Sequence, residues 1–240
     1  MANATMRRMN YAVLLVAAMI AAQAGPPEVE ITAEPHHHLT MENKSVRVFN
    51  VQVDPNTETL THRHRHDYIS ITLGQAEITN SVQGKVPVDV KFQDGDTRFS
   101  PAPFAHFVRC TSSQPFRNVT IEILQDGSLR NTKSPWNPEQ NEDRALNTFD
   151  GGTQQIFFVR DAIRASEIEL QPGATAPKRL HRGPELLVAL NDLDLRNSEA
   201  KNSKSEHFKT GESKWFESRD SRVLSNAGTS PARFVTLEFP

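Results

Sequence analysis

The sequence contains one cysteine, Cys110, so no disulfide can form within a single chain. It has no apolar run long enough for a helical membrane span. The longest, Tyr11 to Ala22, is twelve residues, against the roughly 20 that a bilayer core requires. Nor is there an excess of one charge: 27 Lys and Arg against 29 Asp and Glu give a formal −2. That balance excludes the basic surface expected of a nucleic-acid or anionic-membrane binder. No long apolar stripe of helical period is present either. What remains is 15 prolines, 11 glycines and short alternating segments, which lean towards an all-β chain. At 37% hydrophobic and 23% charged over 240 residues, the composition suits one large or two small globular domains.

Residues 1–24 read as a signal peptide. Arg7 and Arg8 supply a positive start, Tyr11–Ala22 an apolar segment, and Ala22-Gln23-Ala24 a small-x-small cleavage site. Gly25 rather than Cys follows, so a lipid-modified terminus is not indicated. The expectation is an exported, periplasmic or secreted protein with no membrane span in its mature form. Loss of Arg7 and Arg8 shifts the formal charge from −2 to −4.

Alternation then marks strands at Val46–Val48, Val51–Val53, Ala76–Ile78, Val86–Phe92 and Val119–Ile123. Asp54-Pro55-Asn56 and Asp94-Gly95-Asp96 read as turns between them. His36–His38 precede the first strand, but consecutive residues alternate faces, so the triplet is a poor preformed metal site. The polar stretch 126–153, with Trp136, reads as a linker between an N-terminal domain, 25–125, and a C-terminal one, 154–240.

The chemistry concentrates in His62-Arg-His-Arg-His-Asp-Tyr-Ile-Ser-Ile-Thr-Leu-Gly74. His62 and His64 share a face if this is a strand, and imidazole with carboxylate suits Zn, Fe, Ni or Mn. Asp67 has the wrong parity for that face on an unbroken strand. A turn at Arg65–His66 would re-aim it, with Ile69, Ile71 and Leu73 sharing its new face. A further histidine, His106, lies in Gly95-x5-Pro101-x-Pro103-x2-His106-x3-Cys110. His66 sits at the expected turn, outside the ligand set, and Cys110 reads as a packing residue.

These two blocks resemble the motifs of the cupin superfamily, G-x5-H-x-H-x3,4-E-x6-G and G-x5-P-x-G-x2-H-x3-N. Here Asp67 stands for the acid after one residue fewer, Pro103 for a glycine and Cys110 for the asparagine. The resemblance implies a small antiparallel barrel whose mouth holds one divalent metal, Fe, Mn, Ni or Zn. Its ligands would be His62, His64, Asp67 and His106. Cupins also associate through sheet edges or exchanged strands, so the resemblance implies a homo-oligomer in which residues 25–44 serve as the arm.

The second half repeats the first. Asn226–Phe239 overlays Cys110–Ile123 without a gap at an offset of 116, and Gly211 falls on Gly95 at the same offset. The whole chain therefore resembles a bicupin, two tandem barrels. In the second copy Arg179 and His181 fall at the places of His62 and His64, Arg222 at His106, and Glu185 near Asp67. Guanidinium cannot ligate a cation, so one metal per chain is expected. Two functions follow: a metal-dependent enzyme of dioxygenase or isomerase type acting on a small molecule, or a non-catalytic bicupin binding a small ligand or metal.

Overall fold

The computed structural model describes residues 28–134, 136, 145–178, 183–197, 203–217 and 223–240. The expected signal peptide, and Arg179, His181 and Arg222, lie outside the described residues. Ten strands form the first barrel: β1 (Val29–Glu30), β2 (His37–Glu42), β3 (Val46–Val53), β4 (His62–His64), β5 (Tyr68–Thr72), β6 (Ala76–Val82), β7 (Val88–Phe92), β8 (Thr97–Ser100), β9 (Phe104–Cys110) and β10 (Phe116–Ile123). They make two sheets, ordered β1-β4-β9-β6-β7 and β2-β3-β10-β5-β8. The second barrel is built from β11 (Leu146–Phe149), β12 (Gly152–Arg160), β13 (Ile163–Leu170), β14 (Glu185–Ala189), β15 (Leu193–Asn197), β16 (Glu206–Phe208), β17 (Ser213–Phe216), β18 (Leu224–Asn226) and β19 (Ala232–Glu238). Its sheets run β11-β12-β13-β19-β14-β17 and β16-β15-β18.

The strand order β12-β13-β19-β14-β17 repeats β2-β3-β10-β5-β8 position by position. Even the bulges match, at Leu39/Met41 on β2 and at Ile156/Phe158 on β12. The all-β, tandem-barrel architecture is thus present. The stretch read as a linker carries more than a connection. It contains a one-turn helix α1 (Asp126–Leu129), and β11 at its far end already pairs with β12.

Strict alternation lets one strand serve two cores. On β10, Val119, Ile121 and Ile123 point away from the first barrel's interior, whereas Asn118, Thr120 and Glu122 point into it. The outward set joins Val48, Ile69 and Ile71 and packs against Ile163, Leu186, Val188 and Val235 of the second barrel in one buried cluster. The two barrels therefore share a continuous apolar interface, formed by the outer faces of the β2-β3-β10-β5-β8 sheet of the first and the six-stranded sheet of the second. A separate inner cluster, with Phe49, Val51, Val53, Ile78 and Phe116, packs inside the first barrel.

Reciprocal turns lock the pair. Gly95 (φ +83) and Gly211 (φ +85) hold left-handed conformations that a side chain adopts at a cost. A Cβ on Gly95 would meet Glu167, Arg233 and Leu190 of the second barrel at 3.1–3.2 Å. One on Gly211 would meet Leu73 of the first at 2.9 Å. Arg233 in turn donates to Asp94 and to Glu167.

The interiors differ. Where the first barrel has Ser70, Thr72 and Asn118, the repeat places Leu187, Ala189 and Phe234. Those three lie in an apolar cluster with Leu170, Leu193, Leu195 and Phe208. Among the described residues, the second barrel is filled by its own side chains.

Candidate metal centre

His62 and His64 stand on β4, two residues apart and therefore on one face. β9 runs antiparallel beside β4 in a register that sets His62 directly opposite His106. One ring nitrogen from each of the three lies within 4.8 Å of the others, and all three side chains are buried. The two Nε2 atoms of His64 and His106 are 3.2 Å apart. Two nitrogens on one ion at about 2.0–2.1 Å and tetrahedral angles would be separated by about 3.3 Å.

Two of the three imidazoles are held by hydrogen bonds from their other side. His62 Nδ1 donates to the Leu60 carbonyl at 2.9 Å, and His106 Nδ1 to Asn80 Oδ1 at 2.8 Å. Those bonds fix the tautomers and leave the Nε2 lone pairs facing inward. His62 Nε2 is buried with no hydrogen-bond partner. His64 Nδ1 lies 3.8 Å from Glu122 Oε1, an electrostatic contact beyond hydrogen-bond length. The rings of Tyr68 and Phe104 stack on His64 with centroids at 4.2 and 5.3 Å.

Burial holds all three imidazoles neutral. It pushes His62 down to about 3. Burial likewise lowers His64, with Glu122 opposing, and takes His106 well below its usual value, reinforced by His62. Neutral imidazole is the ligating form. A buried, partnerless nitrogen within a neutral three-nitrogen cluster fits a divalent cation.

The structure does not bring Asp67 to the three histidines. It directly precedes β5, and alternation sends its side chain to the outer face with Ile69 and Ile71. There one carboxylate oxygen accepts from the Ala102 N–H at 2.7 Å, and the other takes the Arg130 guanidinium at 2.6 Å. The residue that does turn inward is Tyr68, which the three-residue version of the motif spacing reaches from His64. His66 also stays outside, 3.6 Å from Asp126. In the second barrel Glu185 is buried on β14.

Three contributors were not legible as site residues. Glu122 is one, and its alternation with Asn118 and Thr120 was the available signal. Its ion pair with Arg47 recurs as Arg164–Glu238 in the second barrel, so the pair belongs to the fold. Asn80 is another, brought in by the pairing of β6 with β9. The third is His37, the inward member of the His36–His38 triplet, whose ring centroid lies 4.6 Å from that of His62.

His37 and Asn80, with the three histidines, line a cavity of about 160 Å³ between the two sheets of the first barrel. Its wall carries polar groups, among them His37, Tyr68, Asn80 and Thr120 beside the three histidines, and apolar ones, among them Val51, Val53, Ile78 and Phe116. Arg98, whose guanidinium lies 4.3 Å over the Phe92 ring, borders the same space.

At the level of sequence, no family model and no curated protein matches the chain. Solved structures do. An oxalate decarboxylase of Lactobacillus farciminis, in complex with formate, aligns over 85% of this chain and 84% of its own at TM-score 0.59 and 14% identity. A deletion mutant of the Bacillus subtilis oxalate decarboxylase aligns over 82% of this chain and 69% of its own, at TM-score 0.59 and 12% identity. A Bacillus subtilis oxalate decarboxylase studied for its Mn(II) centres covers 87% and 76%, at TM-score 0.59 and 11% identity. Oxalate decarboxylases are bicupins. At such identities the likeness is one of fold.

Proposed function

We propose that this chain, a bicupin by fold, is a metal-dependent enzyme acting on a small organic molecule. The observation that carries the reading is the convergence of three neutral, buried imidazole nitrogens, those of His62, His64 and His106, on a cavity between the sheets of the first barrel. A divalent ion there would supply Lewis-acid or redox chemistry. Three protein ligands leave positions for a substrate or water. Leu60 and Asn80 orient the ligating rings, and Tyr68 and Phe104 shield His64. The cavity is small and offers a substrate both polar groups, such as Asn80 and Thr120, and aliphatic ones, such as Val51 and Ile78.

Within that class, dioxygenase and isomerase chemistry are the reaction types proposed. The oxalate decarboxylases of similar fold add oxalate and related small acids to the substrates worth testing first. The protein would work outside the cytoplasm, as the charged, apolar, Ala-x-Ala order of residues 1–24 suggests. Intact mass of exported protein beginning at Gly25 tests that part.

A buried three-imidazole cluster can also hold an ion without turning over a substrate, which gives a second reading, a non-catalytic binder of a small ligand or metal. One experiment separates the two. Chains loaded with Mn, Fe, Ni or Zn are screened against small acids, enols, phenols and sugars for O2 uptake, CO2 release and isomerisation. Turnover that disappears in His62→Ala supports the enzyme, and tight metal binding without turnover across the panel supports the binder. Failure to bind any divalent metal sinks the enzyme and the metal binder, and leaves only a binder of a small ligand.

A further inference from the structure

We infer that His37, held by Glu34, is a binding residue for the molecule that occupies the open side of the three-histidine centre, where its Nε2 accepts a hydrogen bond. The inference rests on the metal-centre reading above. Glu34 is almost fully buried, at 2% exposure, yet none of its needs goes unmet. Its Oε2 accepts from the His36 N–H at 2.9 Å and from His37 Nδ1 at 2.6 Å. Its Oε1 accepts from His36 Nδ1 at 2.9 Å and from the Leu60 N–H at 3.1 Å.

Because an ionised carboxylate only accepts, the proton on that bond sits on His37 Nδ1, and the neutral ring keeps its lone pair on Nε2. The side chain of His37 is 5% exposed, lines the cavity, and lies as close to His62 as His106 does, at a centroid distance of 4.6 Å in both cases. It does not belong to the group whose nitrogens all fall within 4.8 Å of one another. A ligand to the same ion would sit within about 4.5 Å of the others, the span across an octahedron. His37 is therefore placed to meet what the ion holds rather than the ion.

The same clamp ties this residue to the centre. The Leu60 N–H goes to Glu34, and the Leu60 carbonyl takes the proton of His62 Nδ1. One residue thus connects the carboxylate under His37 to the orientation of a ligating ring. The chemistry selects a ligand class. An Nε2 lone pair accepts from a hydroxyl, enol or N–H and gives nothing to a group without a proton. The preferred occupant is a small metal-chelating molecule with a proton-bearing donor, such as a hydroxamate or an α-hydroxy acid.

The test uses the full mature chain loaded with Co(II), read by its visible spectrum, with two probes: acetohydroxamate, which carries a proton donor, and azide, which does not. His37→Asn keeps a donor for Glu34, and His37→Phe keeps the ring volume. Both lack Nε2. Each variant should bind Co(II) at the wild-type stoichiometry, weaken acetohydroxamate by about tenfold, the worth of one good hydrogen bond, and change azide affinity less than about twofold. Three results overturn the inference: loss of Co(II) in both variants, which would make His37 a metal ligand; equal weakening of both probes; or no acetohydroxamate binding to Co(II)-loaded wild type. Wild type that takes up no Co(II) overturns the metal-centre reading itself.

Discussion

Asp67 and Tyr68 are neighbours in the chain and stand on opposite faces of one sheet. The Asp67 carboxylate holds Arg130 at 2.6 Å outside the first barrel, and the Tyr68 ring stacks on His64 at 4.2 Å inside it. The strand between them makes no compromise, because successive side chains must point opposite ways. Charge thus goes to the joint with α1 and an aromatic wall to the cavity.

The first prediction follows from that division. Asp67→Asn should leave metal content unchanged and lower stability by about 1–3 kcal/mol, the cost of weakening a buried charge-assisted bond. His62→Ala and His106→Ala should lower metal affinity by more than the roughly 10–100-fold that outer partners of a metal site cost. His66→Ala should do almost nothing. Competitive titration with a chromophoric chelator ranks the four. An empty site in Asp67→Asn would return the acid to the ligand set.

Stoichiometry tests the asymmetry of the two barrels. The second places Leu187, Ala189 and Phe234 where the first has Ser70, Thr72 and Asn118, and its repeat-matched arginines cannot ligate. Elemental analysis should find one metal per chain, and His181→Ala should not alter it. Two per chain would mean that the second barrel has a site of its own.

Acid should act through Glu34. Burial alone would raise its pKa, but the bonds from His37, His36 and Leu60 prevail and hold it at about 2. A group whose folded value is depressed stabilises the fold above its unfolded value, near 4.5, and that stability is lost as pH falls towards 2. Glu34→Gln should therefore be less stable than wild type at pH 7, with the gap narrowing by about 1.4 kcal/mol by pH 3.5. Urea denaturation of metal-free protein at both pH values measures it. A gap that stays constant would mean Glu34 is not ionised as described.

The shared core predicts how the molecule melts. Ile69, Ile71 and Ile121 are fully buried against Leu186, Val188 and Val235 of the other barrel. Ile121→Ala should cost about 2–5 kcal/mol, and calorimetry should record a single transition for both barrels, shifted as one. Two transitions, with only the first shifted, would show that the barrels unfold independently.

Much of this was readable from residues alone because it depended on local periodicity. Alternation marked the strands, the 116-residue offset marked the duplicated barrel, and the i, i+2 spacing of His62 and His64 made them a pair before any fold was known. The arrival of His106 in a second motif completed the three nitrogens now found together. Asp67 was assigned to the site by assuming a turn that would reverse its parity, but β5 keeps its parity and Tyr68 faces the cavity instead.

His37, Asn80 and Glu122 could not be picked out in the same way. Each reaches the centre through pairings between strands distant in sequence: β2 on β3, β6 on β9, β10 between β3 and β5. The sequence by itself determined which residues alternate, where the chain repeats and which side chains are able to bind a cation, since these depend only on residue type and spacing. Tertiary structure decided which acid stays outside, which histidine of the triplet turns inward and which strands bring His62, His64 and His106 together. Those outcomes depend on strand register and on the shared face of the two barrels, which exist only once distant segments have paired.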